Sequence, residues 1–287
     1  MENEKFGAKI GSGAFSDVYK IGEEDIIKVL HDSRSLEDAK RELELSKLAI
    51  KCGLPTAISY DLTKIDGKNC IKYEFLDGEI LRDLLVKNPE KFDEYVKVYA
   101  DLIKQINSTR ARDLSITNAR DCAFEKAEFI KTHITTEEYE RIKTLLDTIP
   151  KSENFIHGDC HIKNIIYYKG ELLLIDMDTL SYGDAIFEYA GIYAPYVIFN
   201  ELNDKQDEFL GIPFDMIPRL MSGVIENNFA DLSEEERAEN LMKISVVSYM
   251  HMLWWLYSFN PNEAWLEIVH KEFSERIKAV DDLILKW

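Results

Sequence analysis

The four cysteines of this chain (Cys52, Cys70, Cys122, Cys160) form no CxxC pair. That excludes the usual zinc-knuckle and redox spacings and fits reduced thiols in a cytosolic protein. Long apolar runs are missing too. The longest nearly apolar stretch, Val246 to Phe259, is 14 residues and carries His251. A bilayer span needs about 20, so a buried helix is expected and a membrane partner is not. The opening residues MENEKFGAKIG lack a basic region followed by an apolar core, so no signal peptide is expected and the location is read as cytoplasmic. Positive charge is scarce: 35 Lys+Arg stand against 53 Asp+Glu, a net of −18. A nucleic-acid or anionic-membrane partner is therefore not expected. Repeats and low-complexity linkers are absent as well.

What is present falls into two textures. Residues 5–30 alternate like strands (KFGAKI, SDVYKIG, DIIKVL) around a turn at Gly22-Glu23-Glu24-Asp25. Ser35, with Asp38 three residues on, starts a helix that Cys52-Gly53 stops. Two further strand-like runs, near 57–64 and 69–76, are joined through Asp66-Gly67. From Leu81 the pattern is helical, with starts at Thr135, Ser233 and Asn260. The expected fold class is α+β. Residues 1–77 form a small antiparallel β-sheet lobe with one helix, and residues 78–287 a larger, mostly helical lobe.

One strand-rich stretch interrupts the helical part: His157 to Asp178, HGDCHIKNIIYYKGELLLIDMD. Two apolar runs flank Lys169-Gly170 and predict a β-hairpin centred on Gly170. Residues equidistant from a turn face one another, so Asn164 and Asp176 are expected side by side. An amide and a carboxylate at neighbouring strand ends suit Mg²⁺, which keeps sites for water and phosphate oxygens. His-x-Asp-x-x-x-x-Asn followed by Ile-Asp is the spacing of kinase-like phosphoryl transfer, in which Asp159 accepts the proton of the acceptor hydroxyl. A hairpin with merely polar ends is the bland alternative. A hydrolase metal site at His157, Asp159 and His161 is another, but only His31, His133, His251 and His270 remain to complete it.

The other end of the chain supports the kinase-like reading. Ile-Gly-Ser-Gly-Ala-Phe-Ser-Asp-Val-Tyr, residues 10–19, lies between two strands. That context excludes Rossmann and Walker loops and fits a flap over nucleotide phosphates, with Gly11, Ser12, Gly13 and Ala14 offering amides. Lys28 on the next strand would reach the phosphates and pair with a glutamate of the following helix, Glu42 or alternatively Glu44.

On these motifs the chain resembles the aminoglycoside phosphotransferase and choline kinase family, the small-molecule branch of the protein-kinase-like fold. His161 stands two residues after Asp159, as in the His-Gly-Asp-x-His-x-x-Asn form of that branch. Met177-Asp178 follows Asp176, and the Gly183-Asp184 helix start leaves no room for a protein-kinase activation segment. Ile162 stands where the family often has proline, and Glu188 replaces an aspartate and is read as structural. The resemblance implies a hinge at Tyr73 to Gly78, where backbone at Glu74 and Leu76 would bond the base. It implies ATP or GTP as donor, Mg²⁺ at Asn164 and Asp176, and a small-molecule acceptor. A nucleotide-binding regulatory module without turnover is the alternative from another class.

The acid excess is uneven: net −3 over residues 1–77 and net −11 over residues 181–287. A cleft lined by carboxylates concentrates cations. The late region also holds Tyr249, Trp254, Trp255 and Tyr257, of which Trp254 and Tyr257 share a helix face. An amine-bearing acceptor, aminoglycoside-like or choline-like, is the expectation.

Overall fold

A computed structural model describes residues 6–202 and 209–280. Its contacts gather into two compact units, Met1–Leu81 with Lys163–Leu180, and Arg82–Ile162 with Ser181–Trp287. The first unit is thus discontinuous in sequence, because the hairpin segment of the 78–287 region belongs to it.

The first unit is built on an antiparallel sheet of order β1-β2-β3-β5-β4. Its strands are β1 (Ala8–Ser12), β2 (Ser16–Ile21), β3 (Asp25–Leu30), β4 (Ser59–Ile65) and β5 (Lys68–Glu74). Successive strand residues point to opposite faces. On β3, Ile27 and Val29 join Phe6, Tyr19 and Cys70 in one core, and Leu30 joins Ile71 and Ala39 in another. Ala39 lies on the helix α1 (Leu36–Lys51), so the face carrying Leu30 is the face turned to α1. Lys28 is two residues from Leu30 and shares that face. Ser35 and Asp38 form the expected reciprocal cap at the start of α1, a device worth about 1 kcal/mol. Asp66 and Gly67 join β4 to β5 with φ of 49° and 83°. Left-handed backbone at both positions is what a two-residue hairpin turn requires.

A three-stranded sheet completes this unit: β6 (Glu79–Ile80) pairs with strand Ile165–Tyr168, which pairs with Glu171–Leu174. The expected hairpin is present, but its register differs by one residue. Lys169 and Gly170 both adopt positive φ (50° and 92°), so the turn has two residues and its centre lies between them. Tyr168 therefore faces Glu171 and Ile165 faces Leu174. Asn164 meets Ile175, whose N–H donates to the Asn164 carbonyl at 3.0 Å, and not Asp176. Asp176 lies one residue further on, at φ 65°, a left-handed conformation that Asp tolerates better than most side chains.

The second unit is mainly helical, with one small antiparallel pair, Asn154–Ile156 against Ser181–Gly183. The helix Glu234–Phe259 packs against the helices Ala119–Ile130, Ile186–Tyr193 and Glu263–Lys278. It includes the long apolar stretch, and Val246, Tyr249, Leu253 and Leu256 are buried along it. Thr135–Glu138 and Ser233–Glu236 form the predicted capping boxes. The last helix begins two residues later than expected. Asn262 is its cap, accepting from the Trp265 N–H at 3.1 Å, while Asn260 closes the helix before it. Among the described residues no helix is long and apolar enough to cross a membrane.

Candidate functional site

The first unit assembles one set of the predicted residues. Lys28 Nζ donates to Glu42 Oε1 at 2.7 Å and to Asp176 Oδ1 at 2.8 Å. Shared orientation on β3 aims the lysine at α1, and Glu42, three residues after Ala39, is on the facing side of that helix. Glu44 is exposed, which decides between the two glutamates. Burial alone would pull the pKa of Lys28 down, but the carboxylates of Asp176 and Glu42 outweigh it and the net shift is upward. The ammonium stays charged. Glu42 is 1% exposed. Its Oε1 also accepts from the Tyr73 hydroxyl at 2.8 Å, and its Oε2 has no partner among the described residues.

Acidic oxygens of Glu42, Asp176 and Asp178 lie within 4.8 Å of one another. Asp178 is an addition to the sequence reading, which took only Asn164 and Asp176 as metal residues. Burial, and then the charge of Asp176, raise the pKa of Asp178 to about 6, and Arg34 binds it at 3.0 Å. Three clustered carboxyl groups are an oxygen donor set that suits a hard divalent cation.

The glycine-rich turn joins β1 to β2. Gly13 N–H donates to the Ser16 carbonyl at 2.8 Å and so closes the turn itself, while Ser12 Oγ donates to Asp17 at 2.7 Å. Neither Gly11 nor Gly13 has positive φ. A Cβ at Gly11 would touch Val18 only at 3.5 Å, and at Gly13 the Ser16 carbonyl only at 3.7 Å. The backbone does not itself demand glycine at these two positions. At the hinge, the Glu74 N–H is taken by the Ile58 carbonyl at 2.9 Å, and its carboxylate accepts from Ile58 N–H at 2.7 Å. Leu76 is buried.

The second unit holds Asp159 in a loop clamped from three sides. Glu188, fully buried, accepts the backbone N–H of His157 at 2.6 Å and of Gly158 at 3.1 Å. The Tyr99 hydroxyl donates to the Cys160 carbonyl at 2.6 Å, and the Tyr196 hydroxyl accepts from Ile162 N–H at 3.1 Å. Gly191 sits so close beneath the loop that a Cβ there would lie 2.7 Å from the Gly158 carbonyl oxygen. The loop is thus held by backbone bonds while the Asp159 side chain stays 46% exposed, 3.5 Å from His161 Nε2. Burial pushes the pKa of Glu188 up to about 7, against the pull of its two backbone donors and of the Asn107 side chain.

Asp159 and His161 open onto a cavity of about 160 Å³ in this unit. Phe199, Phe209, Trp255 and His251 also line it. Pro195, also in the lining, falls in a π-helical turn, Ala194–Ile198. Proline cannot donate to the carbonyl four residues back, and widening the turn avoids that clash. The aromatic face expected on the long helix is the other one. Trp254 lies against Phe259 and Lys126, and Tyr257 stacks on His133 at 3.7 Å. Trp255, about 100° further round, is the one that lines the cavity. Among the described lining residues Asp159 is the one acid.

Residues 7–214 match the family model described as "Phosphotransferase enzyme family". Among solved structures, the chain is similar to aminoglycoside phosphotransferase APH(2'')-Ib with ADP bound, at 17% identity and TM-score 0.57, covering 96% of this chain and 93% of that one. A thermostable mutant of aminoglycoside phosphotransferase APH(4)-Ia in ternary complex with ADP and hygromycin B gives 14% identity and TM-score 0.62, over 98% and 95%. A choline/ethanolamine kinase family protein from Mesorhizobium loti gives 12% and 0.59, over 95% and 91%. No curated protein matches by sequence.

Proposed function

The chain belongs to the phosphotransferase enzyme family, and on that footing we propose that it transfers the γ-phosphate of ATP or GTP, with Mg²⁺, to a hydroxyl of a small molecule. The observation that carries this reading is the buried lysine joined at once to a helix glutamate and to the aspartate after the hairpin, Lys28–Glu42–Asp176. A lysine buried only for packing would not need two carboxylates. A lysine poised for phosphate does need a fixed position and a guaranteed charge.

The roles follow from the chemistry of each group. Lys28, held by Glu42, binds the phosphates, and the room at Gly11 and Gly13 lets backbone approach them, with Ser12 and Ala14 in the same turn. Glu74 and Leu76 hold the base through backbone atoms. Asn164 and Asp176 hold Mg²⁺, which when bound neutralises phosphate charge. Asp159 accepts the hydroxyl proton as the acceptor oxygen bonds to the γ-phosphorus. The bond from that phosphorus to the bridging oxygen breaks, and the nucleoside diphosphate leaves with its electron pair. Rigid support of the Asp159 loop by Glu188, Tyr99 and Tyr196 supplies the positioning on which this chemistry mainly depends.

An amine-bearing acceptor is suggested by the acidity of the chain and by the hygromycin B complex of a structural neighbour. Among the described lining residues of the cavity, only Asp159 is acidic. A nucleotide-binding module without turnover remains the competing class. Calorimetric titration of Mg·ATP and Mg·GTP into wild type and Asp176→Ala tests the nucleotide half. Mg²⁺-dependent binding that weakens at least tenfold in the variant is expected. Equal affinity in both would overturn the assignment.

A further inference from the structure

The geometry points to an uncharged alcohol whose apolar part, about one six-membered ring, is held in the cavity beside Asp159. This rests on the reading of Asp159 as the base in phosphoryl transfer.

Three observations carry it. The first is size. A half-open cavity of about 160 Å³ is close in size to the cavity of about 150 Å³ known to take benzene, so it holds one ring and leaves any further part of the acceptor outside. The second is the wall. Phe199 and Phe209 meet edge to face at 5.4 Å, and Phe209 meets His161 edge to face at 5.9 Å. With Trp255 they make a largely apolar surface, which rewards an apolar body.

The third is charge. His251 lines the cavity, and Lys126 Nζ lies 3.3 Å and 3.5 Å from its two ring nitrogens. Lys126 is not itself in the lining. Its partners are this imidazole and the Trp254 ring, 4.6 Å away, with no carboxylate among the described residues to offset it. Burial, and then the Lys126 charge, drive the pKa of His251 down to about 3, so the ring is neutral at physiological pH. The Lys126 ammonium lies within 3.5 Å of both ring nitrogens, and although burial lowers its pKa, a cationic ligand beside this ring would meet a like charge that a neutral hydroxyl or ether would not. Among the described lining residues its one acidic anchor would be Asp159, the group needed for the proton.

The test uses two alcohols of the same shape. Choline and 3,3-dimethylbutan-1-ol differ in one atom, quaternary nitrogen against quaternary carbon, and 2-phenylethanol adds the ring. Binding is measured by calorimetry without nucleotide, and transfer by kcat/KM with Mg·ATP and Mg·GTP. The neutral isostere is expected to bind at least tenfold more tightly than choline, with 2-phenylethanol at least as tight. Lys126→Met, which removes the charge without touching the lining, should narrow the neutral-to-cationic ratio about tenfold. Choline binding as well as its isostere, no binding of either neutral alcohol, or an unchanged ratio in folded Lys126→Met would each overturn the inference. The two-alcohol comparison on wild type stands alone if that variant does not fold. A neutral preference in calorimetry without transfer to any alcohol would support this selectivity and count instead against the phosphotransfer reading.

Discussion

Replacing Glu188 with glutamine makes the protonated form of a buried carboxyl permanent. Glutamine matches the neutral acid in shape but keeps an acceptor for only one of the backbone N–H groups of His157 and Gly158. Glu188 now binds these through separate oxygens at 2.6 and 3.1 Å, so glutamine adds a constant, pH-independent cost. In the folded wild type, burial raises the pKa of Glu188 from 4.5 to about 7. Between those values the folded chain binds a proton that the unfolded chain has released, so stability falls as pH rises through this window. At about 1.4 kcal/mol per pKa unit, a shift of roughly 2.5 units amounts to ~3 kcal/mol lost between pH 4.5 and 8. The variant loses none of this. Urea unfolding at half-unit steps from pH 4.5 to 8.5 should show wild type losing ~3 kcal/mol relative to the variant across this range, on top of a constant offset from the N–H that glutamine leaves without an acceptor. Asp178 and the other shifted groups titrate in both proteins and cancel in that difference. Parallel profiles would refute the claim that Glu188 holds the loop from a desolvated site.

Asp159→Asn should lower transfer by roughly 10²–10⁴-fold, the usual size of a lost general base, with calorimetric nucleotide affinity near wild type. Gly191→Ala should cost about 1–3 kcal/mol by overpacking, because its Cβ would sit 2.7 Å from the Gly158 carbonyl oxygen; urea unfolding reads it. Tyr73→Phe removes the hydroxyl that donates to Glu42 and should cost about 0.5–1.5 kcal/mol by the same measurement.

Much of this molecule is legible where the signal is local. The caps at Ser35, Thr135 and Ser233 were readable because a hydroxyl and an acid three residues on stabilise a helix start without tertiary help. A pairing of Lys28 with a glutamate of the next helix is legible from the strand–helix order, but the choice of Glu42 over Glu44 needs the burial that the structure shows. The hairpin register was missed by one residue because the sequence shows a turn at Lys169-Gly170 without showing that both residues take left-handed backbone. The clamps on the Asp159 loop were illegible for a different reason. Tyr99 and Tyr196 reach that loop from 61 and 34 residues away, and nothing local marks a tyrosine that will bond a distant carbonyl or amide. Glu188 was visible as a replaced aspartate, but its two bonds to the loop were not. The same holds for Trp255: periodicity separates it from Trp254 but cannot say which face meets the cavity.

The most direct test of the account is transfer of labelled γ-phosphate from Mg·ATP and Mg·GTP to a panel of uncharged, cationic and anionic alcohols, with wild type and Asp159→Asn side by side. The account predicts a phosphorylated alcohol that forms only with Mg²⁺ and falls at least a hundredfold in the variant. Nucleotide binding with no phosphorylated product from any alcohol, or equal product from the variant, would contradict it.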